Sequence, residues 1–217
     1  MAIKAFLFDL NGTMIDDMQY HITAWHEILN KLGANLSIER VKEECYGKNN
    51  ELLERIFPGR FSAEEKNAMS YAKEEAYQQT YKPLLKLIPG LDAFLAAAHQ
   101  QQIKMAIGSA AIMFNINFVL DNLSLHHYFP VIVSADDVEK SKPHPETYLK
   151  CAAALNVLPE ECIVFEDALK GVESAANAGM KSVAIKTVHQ QHEFAAYNNI
   201  IHFIDDYRQL NINSIIT

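Results

Sequence analysis

Ala5-Phe6-Leu7-Phe8-Asp9-Leu10-Asn11-Gly12-Thr13 is the stretch on which the reading of this chain turns. Residues 5–8 form an unbroken apolar run, as a strand does when both faces of a parallel sheet are buried, and the run stops at a carboxylate. Similar short runs recur at Ile103–Ile107, Val131–Val133, Cys162–Phe165, Ser182–Ile185 and Ile200–Ile204. Helical patterns lie between most of them, at Leu91–Gln101, Met113–Leu123, Pro145–Leu155 and Leu169–Ala178. Strand and helix in alternation predict an α/β fold, a Rossmann-like open parallel sheet with right-handed crossovers.

Asp16 to about Lys82 has no strand pattern. Met18, Ile22, Trp25, Ile28, Leu29 and Leu32 share one helical face, and Gly33 stops that helix. Ser62-Ala63-Glu64-Glu65 is a capping-box start for a helix running to about Tyr81. The expected organisation is an α/β core of residues 1–15 and 84–217 with an all-helical insert at 16–83. Segments 14–17 and 81–83 are the expected hinges.

Bulk properties narrow the function. The chain has 217 residues, 49% of them hydrophobic, and a net charge of -8. That balance argues against nucleic-acid and anionic-membrane partners, although a small anion answers to the local field of its cleft. Cys45, Cys151 and Cys162 have no metal-site spacing and read as reduced thiols. His126-His127 and His189 with His192 read as surface histidines. No apolar segment is long enough for a signal peptide or a membrane span, so the expectation is a soluble cytoplasmic monomer.

Ligands of an open parallel sheet bind beyond the carboxyl ends of its strands. The residues expected there are Asp9, Asn11, Gly12 and Thr13; then Ser109 and Ala110; then Ser134 to Asp137 with Lys142 close behind; then Glu166 and Asp167. A strand-end Asp alone often caps the next helix. Together these residues suit attack on a phosphate. Carboxylate and phosphate repel, so the task needs Mg²⁺ on oxygen ligands and a second cation, Lys142. Ser109 and backbone amides can hold phosphoryl oxygens, and Gly12 allows a close turn.

The ordered set Asp9-Leu10-Asn11-Gly12-Thr13, Ser109, Lys142 and Glu166-Asp167 resembles the haloacid dehalogenase superfamily, and the helical insert falls where that family places a cap. Tyr20-His21-Ile22-Thr23-Ala24-Trp25 is similar to the first cap helix of the β-phosphoglucomutase group. The resemblance implies that Asp9 is a nucleophile forming a phospho-aspartate. It implies Mg²⁺ on Asp9, the Asn11 carbonyl and Asp167, with Glu166 beside the ion. Ser109 and Lys142 would bind the phosphoryl group of a small phosphorylated metabolite. From the cap, His21, Trp25 and Lys73 would face the substrate, although Trp25 by itself reads as cap core. Lys48 in Gly47-Lys48-Asn49-Asn50 stands where the mutases have an arginine.

Asn11 departs from the family, which has its acid/base carboxylate there. An amide neither gives nor takes a proton at neutral pH. Four readings follow for Asn11. The chain is an active phosphotransferase or phosphohydrolase, best with pyrophosphate or acyl phosphate leaving groups, or it only binds phosphorylated ligands. Asn11 was introduced to trap an intermediate, or the Asn11-Gly12 dipeptide deamidates to supply the missing carboxylate.

Overall fold

The computed structural model describes residues 2–216, and Met1 and Thr217 lie outside the described residues. Every residue of β1 (Ala5–Phe8) is fully buried. Its side chains alternate between two cores, as the strand period requires. Phe6 and Phe8 pack with Phe94 and Phe165, with ring centroids of Phe8 and Phe165 4.6 Å apart. Ala5 and Leu7 face the opposite cluster, which contains Ala106, Val164, Tyr148, Cys151 and Ala175. The two faces explain why the sequence runs apolar without alternation.

Four helices follow β1: α1 (Met18–Lys31), α2 (Ile38–Glu44), α3 (Asn49–Ile56) and α4 (Ala63–Tyr81). The chain then alternates through α5 (Leu91–Gln100), β2 (Lys104–Gly108), α6 (Met113–Leu123), β3 (Val131–Val133), α7 (Glu146–Leu155), β4 (Cys162–Glu166), α8 (Leu169–Asn177), β5 (Lys181–Ile185) and β6 (Ile200–Ile204). All six strands join one parallel sheet in the order 3-2-1-4-5-6. The α/β parallel-sheet expectation holds. Chain order reverses on either side of β1, so the topological switch point lies between β1 and β4. Phe8 pairs with Ile107 on one side and Phe165 on the other, which brings the residues after β1, β2 and β4 to one edge.

The chain divides into two compact units, Met1–Asp16 with Lys86–Thr217, and Asp17–Leu85. The second unit is entirely helical, around Ile22, Trp25, Leu29, Val41, Leu52 and Leu53. Helix α4 starts in a closed capping box: Glu65 N donates to Ser62 Oγ, and Ser62 N donates to Glu65 Oε2. Helices α2 and α3, seven and eight residues long, have too few turns to declare a period in sequence. Among the described residues, no helix is long and apolar enough to cross a membrane.

Candidate active site

Asp9 leaves the end of β1 with its backbone N–H donated to Phe165 O, so β4 fixes the point from which its side chain starts. Its Oδ1 accepts from Lys142 Nζ at 2.7 Å. The same ammonium donates to Glu166 Oε1 at 2.6 Å. Burial alone would lower the Lys142 pKa, but Asp9 and Glu166 outweigh it and raise the value, so the lysine stays a cation. Glu166, at the end of β4, is further held by Tyr148 OH at 2.9 Å and by Ala168 N at 2.9 Å.

Asp167 follows Glu166 and is equally buried. Thr13 Oγ1 donates to its Oδ1 at 3.1 Å. Burial first, and then the charges of Glu166 and Asp9, push the Asp167 carboxyl well above its ordinary range. Asp9, Glu166 and Asp167 each offer a carboxylate oxygen within 4.8 Å of the others. Three carboxylates against one ammonium leave an excess negative charge, and this donor set fits a hard divalent cation that prefers oxygen ligands.

The Gly12 turn is bound tightly into the core. Gly12 has φ +75° and its N–H donates to Ile15 O, while its own carbonyl accepts from Thr187 Oγ1 at 2.6 Å. The Thr13 carbonyl accepts from Tyr207 OH at 3.1 Å. The Gly12 amide is therefore spent within the turn, and Thr13 acts on Asp167. Half-buried Asn11 bridges to Ile15 through its backbone. Ser109 follows β2, and its N–H donates to Val133 O while its Oγ accepts from Ala111 N. Ala110 lies between them, half-buried.

In the helical unit, a second polar cluster is buried. His21 Nε2 lies 3.1 Å from Asp17 Oδ2, and Tyr77 OH donates to the same oxygen. Lys73 Nζ donates to His21 Nδ1 and, at 2.9 Å, to Glu74 Oε1. Asn49 Nδ2 reaches both Glu74 and Ser70. His21 and Lys73 are thus brought together. Trp25 is 2% exposed in the helical core, with Lys73 Nζ 5.5 Å from its ring centroid. Lys48 opens α3, and its N–H is capped by Glu51.

Sequence reasoning passed over Tyr148, Thr187, Tyr207, Asp17, Glu74 and Asn49. Thr187 and Tyr207 follow the ends of β5 and β6, which the motifs did not reach, and the others are set by packing, so no spacing marked them. Outside both clusters, His126 lies 2.7 Å from Asp121 and His189 lies 2.9 Å from Glu193. Burial pushes the Cys151 thiol up to about 12, which keeps it protonated and unreactive.

Glu74 makes the helical unit sensitive to acid. Burial opposes its ionisation, but Lys73 and His21 outweigh that and hold its carboxyl below the usual range. A depressed carboxyl stabilises fully above its unfolded value of about 4.3 and loses that contribution as pH falls toward the folded value. Glu74→Gln is expected to lower stability near neutral pH and to flatten the acid limb, as read by urea unfolding at a series of pH values. An acid limb as steep as wild type would refute this.

The strand order and the strand-end carboxylates with their lysine define a Rossmann-like parallel α/β core with an inserted helical unit. Residues 6–185 match the haloacid dehalogenase-like hydrolase family, and the chain belongs to that family. It is 32% identical over 192 residues to the β-phosphoglucomutase of Bacillus subtilis, across 84% of this chain and 83% of that protein. It is 30% identical over 180 residues to a fructose-1-phosphate phosphatase of Escherichia coli, across 83% of this chain and 95% of that protein. Among solved structures, a β-phosphoglucomutase from Clostridium difficile matches with TM-score 0.85 at 30% identity, across 98% of this chain and 95% of that one. The resemblance read from the motifs therefore holds.

Proposed function

We propose that the chain is a Mg²⁺-dependent phosphohydrolase or phosphomutase that passes a phosphoryl group through Asp9. The observation that carries this reading is the Asp9 carboxylate, seated at the switch point, paired with Lys142 and flanked by Glu166 and Asp167. Asp9, Asp167 and the Asn11 carbonyl would hold Mg²⁺ with Glu166 beside it, and the ion would neutralise the phosphoryl charge.

Lys142 holds Asp9 in place and offers positive charge to the phosphoryl oxygens. Ser109, whose oxygen already accepts from Ala111 N, directs its hydroxyl proton to a phosphoryl oxygen. An Asp9 oxygen forms a bond to phosphorus as the ester oxygen departs with its bonding pair. Water, or a second hydroxyl, then takes the phosphoryl group and returns Asp9 as a carboxylate. The relatives named for fructose 1-phosphate and phosphoglucose make a phosphorylated sugar the first substrate class. Such a metabolite fits an acidic chain whose cations are local, with no nucleic-acid or membrane partner.

Asn11 favours a second reading. A sugar alkoxide must gain a proton as it leaves, whereas an acyl phosphate or pyrophosphate needs little help. The test is turnover of hexose phosphates, pentose phosphates, acetyl phosphate and pyrophosphate, each with Mg²⁺ and with EDTA. Wild type is expected to release phosphate only with Mg²⁺, and Asp9→Asn to release none. Faster acetyl phosphate or pyrophosphate turnover would select the second reading. Turnover surviving Asp9→Asn would end both.

A further inference from the structure

We propose that Tyr148 is a positioning residue that divides the Lys142 ammonium between Asp9 and Glu166, a proposal that rests on the phosphoryl-transfer reading of this site. Tyr148 lies on α7, outside every motif, and is fully buried. Its hydroxyl donates to Glu166 Oε1, the oxygen that also accepts from Lys142. Its ring lies under Lys142, with Nζ 4.7 Å from the centroid. One side chain therefore touches both the cation and one of the cation's anionic partners.

The consequence follows from competition at one oxygen. Glu166 Oε1 shares its negative charge between two donors, and Oε2 is engaged by Ala168 N. Each added donor weakens the pull of Glu166 on Lys142, which leaves more of the ammonium for Asp9 and an incoming phosphoryl group. The ring face stabilises the ammonium from below and donates nothing, so it does not compete for either carboxylate. Burial, followed by the charge of Glu166, pushes the phenol pKa well up, so Tyr148 remains a donor. Removing the hydroxyl alone should let Glu166 draw Lys142 away from Asp9.

The experiment compares Tyr148→Phe, which keeps the ring, with wild type in single turnovers of acetyl phosphate and Mg²⁺. The expected result is a fall of about ten-fold in the rate of Asp9 phosphorylation, the effect of one charge-assisted hydrogen bond. KM and the melting temperature should be unchanged. In a Glu166→Gln background the same substitution should add nothing, because the hydroxyl acts through that carboxylate. A wild-type rate in Tyr148→Phe, a loss that only follows a lowered melting temperature, or additive losses with Glu166→Gln would each overturn the proposal. If wild type takes up no phosphoryl group from acetyl phosphate or the other substrates above, the phosphoryl-transfer reading fails. Calorimetric binding of orthophosphate with Mg²⁺ then tests Tyr148 separately. Affinity about ten-fold weaker in Tyr148→Phe supports the positioning role, and equal affinity overturns it.

Discussion

Asn11→Asp is expected to raise turnover of hexose and pentose monophosphates by about 10²–10⁴-fold, the usual worth of a general acid/base. The gain should lie in kcat, with KM little changed, because proton transfer to the departing alkoxide is made only in the transition state. Acetyl phosphate and pyrophosphate should gain far less, since their leaving groups need little protonation. The fold should tolerate the change. Asn11 is half-buried and contributes its backbone, through the bridge to Ile15, to the turn after β1. Gly12, Thr187 and Tyr207 hold that turn independently of the side chain at 11. Peptide mapping of residues 4–31 should accompany the assay, because deamidation of Asn11 would give wild type a fraction of the variant's activity. If no substrate gains, the missing carboxylate is not what limits the chain, and ligand binding without turnover becomes the better reading.

Gly171→Ala is expected to dismantle the site from behind. A Cβ at 171 would sit 1.7 Å from Glu166 Oε1 and 1.9 Å from its carboxyl carbon. The obstacle is a carboxylate pinned by Lys142, Tyr148 and Ala168 rather than the loose end of a surface chain. Glu166 must leave, and Lys142 keeps only Asp9. Breaking a buried ion pair costs about 3–5 kcal/mol, which lowers the melting temperature of the core by about 10 °C. Phosphoryl transfer should fall by about 10²–10³-fold, because the displaced Glu166 carboxylate leaves the metal-binding cluster and no longer anchors Lys142 from its second side. Gly12→Ala meets the parallel obstacle at Asp167 Oδ2, 2.1 Å away, on a backbone with φ +75° that disfavours a side chain. A Gly171→Ala protein with wild-type melting and turnover would show that Glu166 has a second seat, contrary to the packing described here.

Much of the core could be read from local signals. Residues 5–8 announce a doubly buried strand because each strand face must be covered, and that requirement writes itself into consecutive positions. The strand ends then locate Asp9, Ser109 and Glu166-Asp167, because parallel strands terminate at one edge. The helical insert was legible from α1 and α4, which carry a stripe and a capping box respectively. Boundaries were softer: β2 reaches Gly108 and β4 reaches Glu166, since a residue that ends a strand chemically can still pair in the ladder.

The sequence by itself determined the parallel α/β class, the carboxylate of Asp9 at a strand end and the absence of a carboxylate at 11, all of which depend on residue type and short-range order. Only the tertiary structure decided which donors those carboxylates share. Lys142 reaches Asp9 across 133 positions, Thr13 reaches Asp167 across 154 and Tyr207 reaches Thr13 across 194. Such contacts leave no periodic trace, because they are set by how helices pack onto the sheet. Tyr148 shows the difference most plainly: in sequence it is one more residue of a helix, and in the fold it lies against both charges that hold the site.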